Sequence, residues 1–157
     1  MPTRHRDLSL QRSKTTWICA NNAKDELEES FSDYVNLVKK IPTILSNNGL
    51  GQTLAFLNSK PKNDTYKKLF KQIQQWLAER IYKWTALTTP NIIALVQNGS
   101  VDRYRWATTE LLQFITWLKL HSSSLDIGSL ENDNSNDSTT DNNNGTVPFN
   151  STHSELE

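Results

Sequence analysis

The chain has 157 residues and one cysteine, and it contains no apolar run long enough to cross a membrane, which predicts one soluble domain from a reducing compartment. Its formal charge of zero conceals two unlike parts: residues 1–125 carry 17 Lys and Arg against 10 Asp and Glu, a net charge of +7, whereas residues 126–157 carry 7 acids and no Lys or Arg. A basic body with an acidic tail suggests an anionic partner. Residues 1–12 lack the apolar core of a secretion signal, so we expect a cytoplasmic protein without a membrane anchor.

Apolar residues recur at helical spacing along the chain, and no stretch shows the sustained alternation of apolar and polar residues that is typical of strands. This pattern predicts an all-α fold. The first helix is expected from near Asp7 to about Asn22, with one side formed by Leu10, Trp17 and Ala20. A second helix is expected from Asp25 to Val38, with an apolar side formed by Leu27, Phe31, Tyr34 and Val38. The pattern leaves open whether these two helices are continuous.

The segment IPTILSNNGLGQTLAFLNSK, residues 41–60, contains an unusual combination of residues that interrupt or end helices. Pro42 is expected to interrupt the helix, which then resumes (a reset). Asn47-Asn48-Gly49 is expected to end it with a residue in the left-handed conformation (a stop). A third helix then begins at Leu50 and ends near Ser59. Gly51 lies in its first turn, where the missing side chain allows close approach to the backbone.

Lys60-Pro61 breaks the chain again, and Asp64 is the expected N-cap of a long helix over residues 65–85. The inward side of that helix is predicted to be Tyr66, Leu69, Phe70, Ile73, Trp76, Leu77, Ile81 and Trp84. Thr89-Pro90 opens a short helix that Asn98-Gly99 closes.

The last helix begins at Ser100 or Asp102 and has two apolar sides. One side consists of Tyr104, Leu111, Ile115 and Leu118, and the other of Trp106, Gln113, Trp117 and Leu120. This surface is broader than one packing seam needs, so part of it is expected to face another protein chain. The predicted fold is a compact bundle of about six helices of unequal length.

Three parts of the chain are expected to behave differently. Residues 1–7 form a flexible basic leader, and residues 8–125 form the helical domain. Residues 126–157, which are rich in Asn, Ser and Asp and poor in apolar residues, form a disordered acidic tail because they cannot bury enough surface to offset their ordering entropy.

The sequence contains no recognisable catalytic, cofactor-binding or metal-binding motif. Gly49-Leu50-Gly51 has only two glycines of a dinucleotide fingerprint and follows a helix where that motif requires a strand. His5, His121 and His153 are scattered, and Cys19 fits a small buried hydrophobe. We therefore expect neither an enzyme nor a metal or cofactor.

Basic residues form four groups along the chain. The groups are Arg4, Arg6, Arg12 and Lys14; Lys39 and Lys40; Lys60, Lys62, Lys67, Lys68 and Lys71; and Arg103, Arg105 and Lys119. The first two groups are interpreted as plain surface, although arginines at a helix start are unfavourable unless an anion neutralises them. For the Lys60–Lys71 cluster and Arg105, surface charge and phosphate contact both remain open. Arg105, Thr109, Thr116 and Lys119 share one line of the last helix.

Two separated motifs resemble one protein family. NGLGQTLAFLNSK at 48–60, preceded by Ile41-Pro42, is similar to a signature of the small-subunit family of type III-B CRISPR-Cas (Cmr) RNA-targeting complexes. Tyr104-Arg105, the Ala107-Thr108-x-Glu110 step and Trp117-Leu118-Lys119 are similar to its second signature. With Trp76-Leu77, the resemblance covers roughly residues 8–122 and omits the tail.

The resemblance implies an all-helical, non-catalytic subunit that stacks with copies of itself and other Cmr subunits beside CRISPR RNA and target RNA. The residues expected near RNA are Gln52, Lys60, Lys62, Lys67, Lys71, Arg105 and Lys119. Those expected in the core or at subunit contacts are Gly49, Leu50, Gly51, Leu54, Phe56, Tyr104, Trp106, Glu110 and Trp117. For stacking, the last helix and the 41–60 segment are the expected faces.

Two alternatives accompany this interpretation. The protein is a helical adaptor that binds only proteins if its lysines are merely solvated. The acidic tail either makes the protein more soluble or competes weakly with RNA for the basic body.

Overall fold

A computed structural model of the chain describes residues 4–81 and 91–134, with the side chains of residues 7–81 and 91–127. Five α-helices account for most of these residues: α1 (Arg4–Leu27), α2 (Phe31–Asn58), α3 (Asp64–Ile81), α4 (Ile92–Asn98) and α5 (Val101–Asn134). A short 3-10 turn, Glu28–Ser30, joins α1 to α2. The described residues contain no strand, which confirms the all-α prediction. The predictions for Trp84 and Thr89-Pro90 lie outside the described residues.

Helices α1 and α2 are separate. Glu28 has a φ of 44°, and the 3-10 turn around it ends α1. The first helix therefore continues past Asn22 to Leu27, and the second begins at Phe31 rather than Asp25. All three residues of the turn are polar and exposed, so no packing holds the chain in one continuous helix there.

The core lies where α2 packs against α5 and α3. Helix α2 contributes Tyr34, Val38, Ile41 and Leu45 before its kink and Leu50, Leu54 and Leu57 after it. The predicted stripe of α3 is confirmed at Leu69, Ile73, Trp76, Leu77 and Ile81, which are buried, while Tyr66 and Phe70 are half-buried. On α5, Leu111, Ile115 and Leu118 are buried as predicted, and Phe114 joins them to stack on Trp76 with ring centroids 5.1 Å apart.

Two predicted interruptions of α2 have opposite outcomes. The helix passes through Pro42 without ending, so the predicted reset there is wrong. Ile41 and Leu45 are buried on either side of Pro42, and their packing stabilises a helix that the proline weakens. At Gly49, with φ of 78° and ψ of 173°, the helix does break, as the Asn-Asn-Gly stop predicts. Helix α2 therefore consists of two helical segments.

Side chains from just before each helix cap α3, α4 and α5. Asn63 accepts a hydrogen bond from the backbone N–H of Tyr66, so the cap of α3 is Asn63 and not Asp64. Asn91 caps α4 through the N–H of Ile93, and Ser100 caps α5 through the N–H of Arg103. Of the two predicted starts of α5, Ser100 and Asp102, the structure therefore has Ser100. Its end, at Asn134, lies beyond residue 125, where the helical domain was expected to finish.

Candidate functional site

The two motif segments meet at the kink of α2. The hydroxyl of Tyr104, on α5, accepts a hydrogen bond from the backbone N–H of Gly51 at 3.3 Å. A Cβ atom on Gly49 would lie 3.0 Å from the same hydroxyl, and Thr53 Oγ1 donates to the Gly49 carbonyl at 2.8 Å. Tyr104 thus approaches the backbone closely at both glycines, but a side chain would obstruct it only at Gly49, because nothing lies within 4 Å of a Cβ at Gly51. This junction fixes the angle between the two segments of α2.

The other predicted motif residues of the 41–60 segment are structural. Leu50 and Leu54 are fully buried, and Phe56 is half-buried with its ring edge against Tyr66, 5.6 Å between centroids. The exposed residues of this segment are polar or small: Thr43, Ser46, Asn47, Asn48, Gln52, Ala55, Asn58, Ser59 and Lys60. A subunit contact at this face would therefore be polar.

Glu110 joins three helices from a buried position on α5. Its side chain is 2% exposed and forms a two-point ion pair with Arg12 of α1, with Nε to Oε1 at 2.9 Å and a second guanidinium nitrogen to Oε2 at 2.7 Å. Trp76 Nε1 on α3 donates to Glu110 Oε1 at 3.0 Å. The hydrogen bond with Glu110 raises the pKa of the Arg12 guanidinium, against the opposing effect of burial. The pair thus ties α1, α3 and α5 together.

The sequence interpretation missed Arg12 as a structural residue and grouped it with surface cations. Arg12 is the ninth residue of α1, beyond the first turn where the helix dipole acts. Its side chain is only 14% exposed, so its charge requires an anion, which Glu110 supplies. The partner is 98 residues away along the chain. Only the packing of α1 on α5 identifies it.

A second buried network joins α1, α2 and α3. Tyr34 donates to Gln72 Oε1 at 2.6 Å, and Gln72 Nε2 donates to the carbonyl of Cys19 at 2.9 Å. Burial raises the pKa of Tyr34 and raises the pKa of the Cys19 thiol to about 11, although the charge of Lys68 partly opposes the change at Cys19. Cys19 is therefore a neutral thiol near pH 7, as expected for a structural cysteine.

The residues predicted to contact RNA, Gln52 and six cations, are all exposed, but they lie at several places. Gln52 and Arg105 flank the contact between Gly51 and Tyr104, and Lys119 lies about 21 Å from Arg105 along the outer side of α5. Thr109 and Thr116 are exposed between these two cations, as the predicted line requires. Lys60 and Lys62 lie in the turn between α2 and α3, and Lys67 and Lys71 lie on α3.

The lysines of α3 line a groove between α1 and α3 that has a volume of about 670 Å³. The charged residues of its lining are Glu26, Asp64, Lys67, Lys68, Lys71 and Glu79. Lys68 forms an ion pair with Glu26 at 2.6 Å. Lys68, and to a smaller extent Lys71, lowers the pKa of the Glu26 carboxyl. The α1–α3 groove is therefore close to charge balance.

A second groove, of about 470 Å³, lies between α2 and the start of α3. Its lining residues are Asp33, Asn36, Leu37, Lys39, Lys40, Asn63, Thr65 and Tyr66. Lys60 is not a lining residue but contacts Tyr66 of the lining, with Nζ 4.7 Å from the centroid of the Tyr66 ring and 3.4 Å from the Tyr66 hydroxyl. The α2–α3 groove thus brings together two basic groups that are about twenty residues apart along the chain.

Large apolar side chains are exposed on α1 and α5, two helices that pack against each other. Leu10 and Trp17 of α1 are 55% and 45% exposed, so of the predicted side of α1 only Ala20 is buried. On α5, Trp106 and Leu120 are 50% and 60% exposed. Between these helices His121 contacts the edge of the Trp17 ring and stacks on Trp117, with centroids 5.3 and 5.7 Å away. We call this set, Leu10, Trp17, Trp106, Trp117, Leu120 and His121, the seam surface.

Within residues 4–81 and 91–134 no helix is long and apolar enough to span a bilayer. In that part there is also no group of three or more His, Cys, Asp and Glu side chains placed to hold a metal ion.

Taken together, fold and site define a small all-α protein whose buried polar groups connect its helices, with cations and aromatic side chains at the surface. Residues 8–125 match the family model described as CRISPR-associated protein (Cas_Cmr5). The match spans most of the chain, so the protein belongs to this family, the small subunits of the type III-B Cmr complex. Family membership confirms the resemblance drawn from the two motif segments.

Proposed function

We propose that this protein is a non-catalytic structural subunit of a cytoplasmic Cmr ribonucleoprotein in antiviral defence. It stacks against further copies of itself and other Cmr subunits and contacts the phosphate backbone of CRISPR RNA or target RNA. Membership of the Cas_Cmr5 family supports the assignment to the complex.

The exposure of the seam surface is the main support for the stacking role. Four of its large apolar side chains are about half exposed, and exposed apolar clusters of this kind mark sites of protein association. Stacking in a line requires a heterologous contact, in which the seam surface of one copy meets a different face of the next. The polar outer side of the 41–60 segment is our candidate for that second face.

Leu120→Asp tests this role. Leu120 is 60% exposed, so the variant keeps the fold while it places a charge where a partner must pack. We expect loss of copurification with tagged Cmr subunits and an unchanged helical circular dichroism spectrum. Trp117→Asp is expected to give the same loss, but Trp117 is half-buried against His121, which makes Leu120 the sharper choice.

The matched control is Ile18→Asp. Ile18 is 58% exposed and lines the α1–α3 groove, which none of the seam residues lines, so this variant should still copurify. Normal incorporation of Leu120→Asp, or equal loss for both variants, contradicts the assignment of the seam surface.

The alternative is a helical adaptor that binds proteins alone. The charge balance of the α1–α3 groove favours it, because those lysines have acidic neighbours within the molecule. The affinity of the wild-type protein for single-stranded RNA across a salt series distinguishes the two. Phosphate contacts give a log-log slope of about −0.7 for each phosphate neutralised, whereas an adaptor shows no salt-dependent RNA binding.

A further inference from the structure

The basic residues of this protein are not equivalent as phosphate ligands once the fold is known. Lys67, Lys68 and Lys71 share their groove with three carboxylates, Glu26, Asp64 and Glu79. An RNA phosphate entering that groove would meet little net positive charge and would compete with the ion pair between Lys68 and Glu26.

The α2–α3 groove has a different balance. Among its described lining residues, Lys39 and Lys40 are the cations and Asp33 is the one carboxylate, and Lys60 adds a further positive charge at the edge. Within residues 7–81 and 91–127 no carboxylate forms an ion pair with Lys39, Lys40 or Lys60. These ammonium groups are therefore available to an external anion.

Tyr66 orders the edge of this groove. Its ring lies against Phe56 on one side, and Lys60 Nζ lies over it at 4.7 Å from the centroid. This cation–π contact holds Lys60 beside the groove instead of leaving it free to sample solvent, which lowers the entropy cost of binding a phosphate. Asn63, also in the lining, adds a side-chain amide that can donate to phosphate oxygens.

We propose that the α2–α3 groove, with Lys39, Lys40 and Lys60, is the principal site at which this protein binds a single-stranded RNA phosphate backbone. This inference rests on the RNA contact in the proposed function and assigns it to one face. Lys39 and Lys40, which the sequence analysis interpreted as plain surface, contact RNA phosphates in this proposal. Lys67 and Lys71 do not. Contacts of this type provide affinity without sequence preference.

The test compares two double variants of the full chain, Lys39→Gln with Lys40→Gln and Lys67→Gln with Lys71→Gln. Each removes two exposed positive charges from a helix, so the two proteins have equal net charge and neither loses a buried contact. Binding of a fluorescein-labelled oligouridylate is measured by anisotropy over a salt series. Thermal unfolding by circular dichroism verifies that both variants are folded.

We expect the Lys39/Lys40 variant to lower the magnitude of the salt slope by about 1.4, the value for two phosphate contacts, and to weaken binding roughly tenfold at low salt. The Lys67/Lys71 variant should keep the wild-type slope. Asp33→Asn should tighten binding, because it removes the carboxylate from the groove.

Three results overturn the inference while leaving RNA binding intact. They are equal effects of the two double variants, a larger effect at Lys67 and Lys71, and a salt slope that neither changes. If the Lys39/Lys40 variant keeps its RNA affinity but no longer copurifies with Cmr subunits, the groove binds protein and the inference is also wrong. A wild-type protein without salt-dependent RNA binding overturns the proposed RNA contact itself.

Discussion

Glu110, a residue of the second family motif, has a structural role in this protein. A buried carboxylate is costly unless its partners neutralise it and satisfy its oxygens, and here Arg12 and Trp76 do both. The three residues come from three helices, so the network favours one arrangement of those helices over other packings of similar apolar area. Glu110 thus has a reason to be acidic that requires no contact with RNA.

Glu110→Gln should lower the free energy of unfolding by about 2–4 kcal/mol, because Arg12 keeps its charge at a site with little exposure and loses its anion. Chemical denaturation measures the change. Arg12→Met in the same background should recover part of the loss, since it removes the unpaired charge. Additive losses from the two substitutions would show that the ion pair does not couple them.

At the scale of elements, α2 shows why the type of helix breaker matters less than its surroundings. Pro42 removes one hydrogen-bond donor, but the buried side chains of Ile41 and Leu45 keep both flanking turns packed on the core. Gly49 has a left-handed φ, and the Tyr104 hydroxyl occupies the space a side chain would need. The kink is therefore fixed by a tertiary contact as well as by local preference.

Gly49→Ala and Gly51→Ala form a matched pair for this kink. Gly49→Ala should destabilise the protein by about 2 kcal/mol, because alanine is strained at φ of 78° and its Cβ meets Tyr104 at 3.0 Å. Gly51→Ala should stabilise it by about 0.5–1 kcal/mol, since Gly51 is helical and open space surrounds its Cβ position. Thermal or urea unfolding of both variants gives the comparison.

Tyr104→Phe in the Gly49→Ala background separates the two causes. The variant removes the hydroxyl that the new methyl group meets, so part of the loss should return while the cost of the left-handed φ remains. Full recovery would show that backbone strain contributes nothing at this position. Equal effects of Gly49→Ala and Gly51→Ala would contradict the assigned kink.

At the scale of the whole molecule, the seam surface and the α2–α3 groove lie on different helices. The seam surface lies along α1 and α5, whereas Lys39 and Lys40, which form no ion pair with a described carboxylate, line the α2–α3 groove. A subunit that must contact both protein and RNA can use such a separation, because neither partner then covers the other's site. The acidic residues after residue 134 add a charge of opposite sign to the same chain.

Deletion of residues 135–157 should tighten RNA binding at low salt. The deletion removes four acids and no Lys or Arg, so the net charge changes from zero to +4. Wild-type and shortened proteins should converge at high salt, since the Debye length falls from about 10 Å at 0.1 M to about 3 Å at 1 M. Anisotropy titrations with labelled oligouridylate measure both.

The control is the full-length chain with Asp137, Asp141, Glu155 and Glu157 replaced by their amides, which changes charge without changing length. It should reproduce the effect of the deletion. Equal affinities of all three proteins at low salt would leave the tail with no electrostatic role and favour the solubilising alternative.

Much of the fold was predictable because it depends on local patterns. The stripes of α3 and α5, the stop at Gly49 and the break after Lys60 follow from helical periodicity and from glycine and proline chemistry. The errors came from positions where packing overrides local preference, as at Pro42, or where an aromatic residue remains exposed, as at Trp17. Periodicity alone cannot tell a core tryptophan from a surface one.

The candidate sites were less predictable. Sequence spacing placed Lys60, Lys67 and Lys71 in one cluster, but the fold separates them, because Lys60 lies over Tyr66 and the other two line the α1–α3 groove. It could not show that Lys39 and Lys40 come to the same groove as Tyr66. The family motif identified the right segments without revealing that the Gly51 N–H of one contacts the Tyr104 hydroxyl of the other.

The helical class, the family and the two motif segments could be predicted from the sequence, since each is encoded within a few turns of chain. The packed fold established which charges are neutralised, because Arg12 with Glu110 and Lys68 with Glu26 are partners distant in the chain. It also decided which apolar side chains remain exposed. Electrostatic and packing energies depend on distances through space, and those distances exist only after the helices have packed.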